Sequence, residues 1–152
     1  YNQASRRTPV FLLTDLDRAD CAPRLIEDWL AGRSREASFL FRVAVREVEA
    51  WLLADQSGIA KFLGIETTLV PTGVEGLPDP KRALVCLARH SRLRELRRGL
   101  VPSEGSTAQV GPSYVDLLTG FAERGWSPNR ARKGAPSLDA AIAALVGLGR
   151  RT

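Results

Sequence analysis

Nine residues near the start of the chain, Pro9-Val10-Phe11-Leu12-Leu13-Thr14-Asp15-Leu16-Asp17, restrict the fold more than any other segment. A short apolar run that ends in two acids reads as a buried strand delivering carboxylates to a sheet edge, where open α/β sheets place their ligands. Side chains at i and i+2 of an extended segment share a side, so Asp15 and Asp17 are expected to face the same way. Adjacent carboxylates repel unless something positive lies between them, and hard divalent cations take oxygen ligands of this kind. Asp15 and Asp17 are therefore candidate ligands for Mg²⁺ or Mn²⁺. A local explanation competes: Asp17 or Asp20 caps a helix starting near Cys21 or Pro23, which accounts for one acid and leaves the other.

Downstream patterning completes a βαβ unit. A helix is expected over Pro23 to Ala31, with Leu25, Ile26, Trp29 and Leu30 buried and Gly32 as its stop, followed by a second strand over Phe39 to Val45. Such a unit is expected to be parallel and right-handed. Helices are then predicted over Glu47 to Ala54, Ile59 to Leu63, Lys81 to His90 behind an Asp79-Pro80 start, Pro112 to Arg124, and Ser137 to Leu148 with Ser137 as cap, and Leu93 to Leu100 reads as helix or turns. The segment from Ile65 to Pro78, with Pro71, Gly73, Gly76 and Pro78, reads as an irregular excursion. The expected class is α/β, a short parallel sheet with a mostly helical C-terminal half. The aromatic residues Trp29, Trp51, Trp126, Phe39, Phe41, Phe62 and Phe121 read as packing residues.

Glu47 and Glu49 follow the second strand directly. Both strands of a parallel pair end on one side, so these acids are placed at the same edge as Asp15 and Asp17. Four converging acids suit two-ion phosphoryl chemistry, in which one ion activates water and the other neutralises the leaving oxygen. Acids are also favoured in any first helical turn, and one of the two is accounted for that way; Glu49, beside Val48 and Trp51, is the better candidate to point inward.

The 152 residues fit a single domain over 1–152, and 44% apolar with 26% charged residues is ordinary for a globular protein. The net charge is +5, and only three of the 22 basic residues are Lys, which permits contact with phosphates. Among them Lys81 is a candidate to stabilise a phosphoryl group, against the common case of a solvated first-turn Lys. The densest basic run holds Arg89, Arg92, Arg94, Arg97 and Arg98, either a track for a nucleic-acid backbone or a solvated helix face. No apolar stretch reaches the ~20 residues of a membrane span, so a soluble protein is expected. Two cysteines, Cys21 and Cys86, make neither a disulfide framework nor a zinc site, which points to a cytoplasmic location. One histidine and no Gly-rich phosphate loop leave little room for Ser-His-Asp or Walker-type chemistry. Met is absent and Tyr1 is too large for ordinary initiator removal, so the chain is expected to continue upstream. At least one further strand is expected there or from a partner, because a two-stranded sheet does not stand alone in water.

Five segments together carry a resemblance: Leu-Thr-Asp-Leu-Asp at 13–17, Cys-Ala-Pro-Arg-Leu-Ile at 21–26, Val-Arg-Glu-Val-Glu-Ala-Trp-Leu-Leu-Ala-Asp at 45–55, Leu-Pro-Asp-Pro-Lys at 77–81 and Gly-Pro-Ser-Tyr at 111–114. In combination they resemble a bacterial family of uncharacterised Toprim-related proteins, similar to phage-defence accessory proteins encoded beside ATPases. The resemblance implies a Toprim-like, Rossmannoid α/β fold that binds Mg²⁺ to cut or join nucleic-acid backbones, with Asp15 and Asp17 matching the family's Asp-x-Asp pair. The family's upstream Glu has no counterpart here. Glu47, Glu49 and Lys81 match its further acids and downstream Lys by position only, and nucleic acid and an ATPase are the implied partners. The strand ending in Asp-x-Asp also resembles haloacid-dehalogenase phosphatases, whose pattern expects Thr or Val where Ala19 stands. A non-catalytic module that binds nucleic acid or an ATPase partner is the third reading.

Overall fold

A computed structural model of the chain describes residues 1–150. β1 (Val10–Asp15) and β2 (Phe39–Ala44) form a two-stranded parallel sheet in the register Val10 to Phe39 through Asp15 to Ala44. α1 (Ala22–Leu30) connects them. The expected α/β class, with a short parallel sheet and a helical C-terminal half, is the architecture observed.

Alternation along each strand sets up two apolar layers. Val10, Leu12 and Leu16 join Phe39, Phe41 and Val43 on one side of the sheet, where α1 covers them with Leu25, Ile26 and Leu30. Leu13 and Ala44, on the other side, join the larger core built by the C-terminal helices. Those helices are α2 (Val48–Ala54), α3 (Gln56–Leu63), α4 (Pro80–Arg89), α5 (Arg94–Leu100), α6 (Tyr114–Arg124), α7 (Pro128–Ala131) and α8 (Pro136–Gly149). Leu53, Ile59, Leu63, Leu84 and Leu100 are fully buried between them. Burying each such side chain contributes about 1.5–3 kcal/mol relative to exposure.

Several expectations need correcting. Trp29 is 57% exposed, because its ring lies on the rim of the α1 layer against Phe41 at 5.4 Å rather than beneath it. Neither Asp17 nor Asp20 caps α1: Cys21 occupies that position without a side-chain bond, and Pro at the first turn already removes one orphan donor. Ser137 is not the cap of α8, which begins one residue earlier at Pro136. Its hydroxyl instead accepts from Trp51 Nε1 at 2.8 Å and donates to Glu75 Oε1 at 2.6 Å, tying α8 to α2. The short helix α7 was not expected; Ser127 accepts from Arg130 N and starts it. The excursion from Ile65 to Pro78 holds two 3₁₀ turns, Thr67–Leu69 and Val74–Gly76.

The remaining punctuation follows the sequence. Asp79 caps α4 by accepting from Arg82 N at 2.7 Å, and Gly64 ends α3 in the left-handed conformation. Among the described residues no helix is long and apolar enough to cross a membrane.

Candidate functional site

Both strands end on one side, and the backbone there is unusual. Asp17 and Arg46 stand at φ 49° and 47°, the left-handed region that non-Gly residues rarely occupy. They hold each other: Asp17 N donates to Arg46 O at 2.8 Å, and Arg46 Nη1 donates to Asp17 O at 3.1 Å. Backbone held in sparsely populated regions collects at functional sites and costs on the order of 1–3 kcal/mol. The turn also takes Asp17 out of the extended segment, so strand alternation no longer places it on the same side as Asp15. Asp17 is exposed and Asp15 half-buried.

Asp15 Oδ1 accepts from Val48 N at 2.8 Å, satisfying one of the orphan donors of α2 from across the sheet edge. Glu47 repeats the arrangement two helices further on: its Oε2 accepts from Lys81 N at 2.9 Å, in the first turn of α4. Two helix N-termini therefore aim at the same carboxylate cluster, and their dipoles favour negative charge there. Lys81 brings the balancing cation, its Nζ standing 3.7 Å from Glu49 Oε1 and 3.8 Å from Glu47 Oε1.

Glu49 is the buried member, 5% exposed. Its Oε1 accepts from the Tyr114 hydroxyl at 3.0 Å, while Oε2 is buried with no hydrogen-bond partner. A buried carboxylate oxygen without a donor is costly, and such a group calls for a ligand, an ion or a catalytic role to explain it.

The titration behaviour follows from this crowding. Burial raises the Asp15 carboxyl above its ordinary range, and the nearby Glu49 and Asp17 charges add to the rise against the opposing Val48 N–H and Lys81. Burial likewise raises Glu47, with the Lys81 N–H and ammonium opposing it. For Lys81, burial works against the charge, but Glu49, Glu47, Asp15 and Asp17 outweigh it and hold the ammonium above its usual value. Burial, then the Glu49 charge, pushes the Tyr114 hydroxyl far up, so it stays a donor.

The donor set is all hard oxygen. Among the described residues no group of three or more His, Cys, Asp or Glu side chains is placed to hold a metal ion between them. Mg²⁺ does not require one, since it keeps several waters and takes one or two carboxylates plus substrate phosphates. Glu49 Oε2 and Asp15 Oδ2, neither of which accepts a hydrogen bond, fit that mode, with Asp17 exposed beside them.

Tyr114 was missed by sequence reasoning. Gly-Pro-Ser-Tyr entered only as part of a resemblance, and its physical roles are now visible. A Cβ on Gly111 would lie 2.4 Å from Gly99 O and 2.7 Å from Leu100 C, so only glycine lets this loop close on the end of α5 and aim Tyr114 at Glu49.

The basic run divides. Arg89 at the end of α4 and Arg97 and Arg98 at the end of α5 line one cleft, while Arg92 and Arg94 are exposed outside it. A separate polar centre surrounds Asp55, which is fully buried and accepts from Gly58 N, Ser127 N and both Nε and Nη2 of Arg130 at 2.7–3.1 Å. Burial would raise this carboxyl, but Arg130 and the two N–H donors outweigh it and hold it low. A cavity of about 370 Å³ lies against Asp55 and Arg130, yet both carboxylate oxygens are already satisfied there, which marks the pair as structural. Comparison of the chain with protein-family models, with curated proteins and with solved structures found no match.

Proposed function

We propose that the protein is a metal-dependent phosphodiester enzyme acting on nucleic acid, of the Toprim-related kind that its five motifs resemble. One observation carries the reading: Asp15, Glu47, Glu49, Lys81 and Tyr114, drawn from four separate segments, come together beside the carboxyl edge of the sheet, where Tyr114 and Lys81 both lie against Glu49 Oε1 and leave the buried Oε2 without a partner.

Asp15 and Glu49 would hold Mg²⁺ or Mn²⁺ together with waters and a substrate phosphate, the exposed Asp17 acting through one of those waters, and the ion when bound supplies Lewis acidity and a more acidic water. Lys81 replaces the second ion expected from four acids. Its ammonium already neutralises Glu47 and Glu49, and it can meet the negative charge of a phosphoryl group without being recruited. Glu47, raised by burial and oriented by the Lys81 N–H, is the residue suited to exchange a proton with water at the phosphate. Tyr114 fixes the Glu49 carboxylate so that Oε2 remains the free ligand.

Self-neutralisation by Lys81 also favours a second reading, a module that binds nucleic acid or an ATPase partner without cutting. Nicking of supercoiled plasmid and of single-stranded DNA and RNA in Mg²⁺ or Mn²⁺, with Asp17→Asn alongside, separates the two. Metal-dependent cleavage lost in the variant is expected. Nucleic-acid binding without cleavage under any divalent ion selects the binding module.

A further inference from the structure

We propose that a trough along α4 and α5 is the path by which a nucleic-acid backbone enters the acid cluster. The idea rests on the nucleic-acid reading above and specifies which surface the strand follows. A concavity of about 740 Å³ begins at Lys81 and runs past Arg82 and Arg89 to the loop from Pro102 to Ser106; Asp79, committed to capping α4, and Glu104 are the two acids in its lining. A second of about 610 Å³ shares Arg89, Pro102 and Ser103 and continues to Arg97 and Arg98. The shared lining joins the two into the proposed channel, and its link to the acid cluster is Lys81, which lines the first concavity and pairs with Glu47 and Glu49.

Helical periodicity explains the row. Arg82, Cys86 and Arg89 stand at i, i+4 and i+7 on the exposed stripe of α4, opposite buried Leu84, Leu87 and Ala88. Arg82, Arg89, Arg97 and Arg98 have no ion-pair partner among the described residues, although Asp20, Glu36, Glu123 and Asp139 each pair with an Arg elsewhere. Basic residues are favoured in a last helical turn, which accounts for Arg89, Arg97 and Arg98 singly. It does not account for Arg82, near the start of α4, or for the convergence of two helix ends on one channel. From Lys81 to Arg89 the helix rises about 12 Å, or three to four nucleotide steps of a duplex strand at roughly 3.4 Å each. Phosphates spaced along the channel match this row, and such contacts position a strand without reading its sequence.

The test is binding of a fluorescein-labelled 20-nucleotide single strand and its duplex in EDTA, where no metal chemistry occurs. Arg89→Ala with Arg98→Ala is expected to weaken binding roughly tenfold and to flatten the log–log salt dependence by about 0.7 per lost contact on the single strand or about 0.9 on the duplex. Arg92→Ala with Arg94→Ala, outside the channel, is expected to change neither by more than about twofold. Cys86 is an exposed free thiol on the channel wall, so saturating oligonucleotide is expected to slow its alkylation by iodoacetamide in the unmodified protein. Equal losses in both pairs, or unprotected Cys86 under saturating binding, overturn the channel. Cleavage that persists with unaltered binding in the channel pair also overturns it while sparing the enzyme reading. Channel-dependent binding without any metal-dependent cleavage leaves the channel standing and removes the enzyme.

Discussion

The Tyr114 hydroxyl donates to Glu49 Oε1 at 3.0 Å across 65 residues of sequence, joining the start of α6 to the first turn of α2 inside the core. Tyr114→Phe removes the donor and keeps the ring. A hydrogen bond to a buried charge contributes about 1.5–3 kcal/mol, so the variant is expected to lose about 2 kcal/mol. Urea unfolding reads this as a lower midpoint at unchanged slope; an unaltered midpoint removes the bond from the account.

Gly111→Ala is expected to be more damaging than its size suggests. The added carbon meets the backbone of Gly99 and Leu100, which cannot rotate away, and the Ser113 N to Gly99 O bond at 3.0 Å lies in the same contact. Loss of cooperative thermal unfolding, or a large fall in melting temperature, is the expected result. A variant as stable as the parent contradicts the close approach.

Asp15→Asn is expected to stabilise the protein at neutral pH. A carboxyl raised in the folded state binds its proton more tightly than in the unfolded chain, so its contribution falls as pH rises from about 3.9 through the folded value. The amide oxygen still accepts from Val48 N, and the repulsion from Glu49 and Asp17 disappears. A gain of about 1 kcal/mol at pH 7, shrinking to nothing below about pH 4, is the signature in pH-resolved unfolding, together with loss of metal affinity in calorimetry.

Asp55 carries the opposite sign. Its carboxyl is lowered in the fold, so its contribution is complete above about pH 3.9 and is lost as pH falls through the folded value. Asp55→Asn removes the buried carboxylate that the half-exposed Arg130 and the Gly58 and Ser127 N–H groups hold, and it is expected to lower the urea midpoint at pH 7, with the difference from the parent narrowing in acid. Two aspartates forty residues apart thus shift the pH–stability curve in opposite directions.

Lys81→Met leaves Glu47 and Glu49 without a cation and is expected to lower the melting temperature at neutral pH. Divalent metal is expected to restore more stability to this variant than to the parent. At a hundred times the dissociation constant, a bound ion adds about 2.7 kcal/mol. Melting curves with and without Mg²⁺ check this, and equal metal effects in both proteins contradict a shared site for Lys81 and the ion.

The sheet, the order of the longer helices and the acids at the carboxyl edge were legible in the sequence because they rest on local physics. Short apolar runs define β1 and β2, Asp79 and Pro80 start α4, and Gly64 stops α3, each through interactions within a few residues. Parallel pairing then places Glu47 and Glu49 beside Asp15 without further information. The failures were non-local. Ser137 looked like a cap, but a hydroxyl can bond to backbone or to a distant side chain, and only tertiary packing brought Trp51 and Glu75 within reach. Trp29 fell on the apolar stripe of α1, yet whether a rim residue is covered depends on what lies beyond the helix. Local patterning was enough for the acid-tipped βαβ unit. Helix packing was needed to set Lys81 among the acids, to bring Tyr114 to Glu49 with one oxygen left free, and to line adjoining concavities with Arg82, Arg89, Arg97 and Arg98. Each is a contact between segments far apart in the chain, and long-range contacts are set by how whole helices pack.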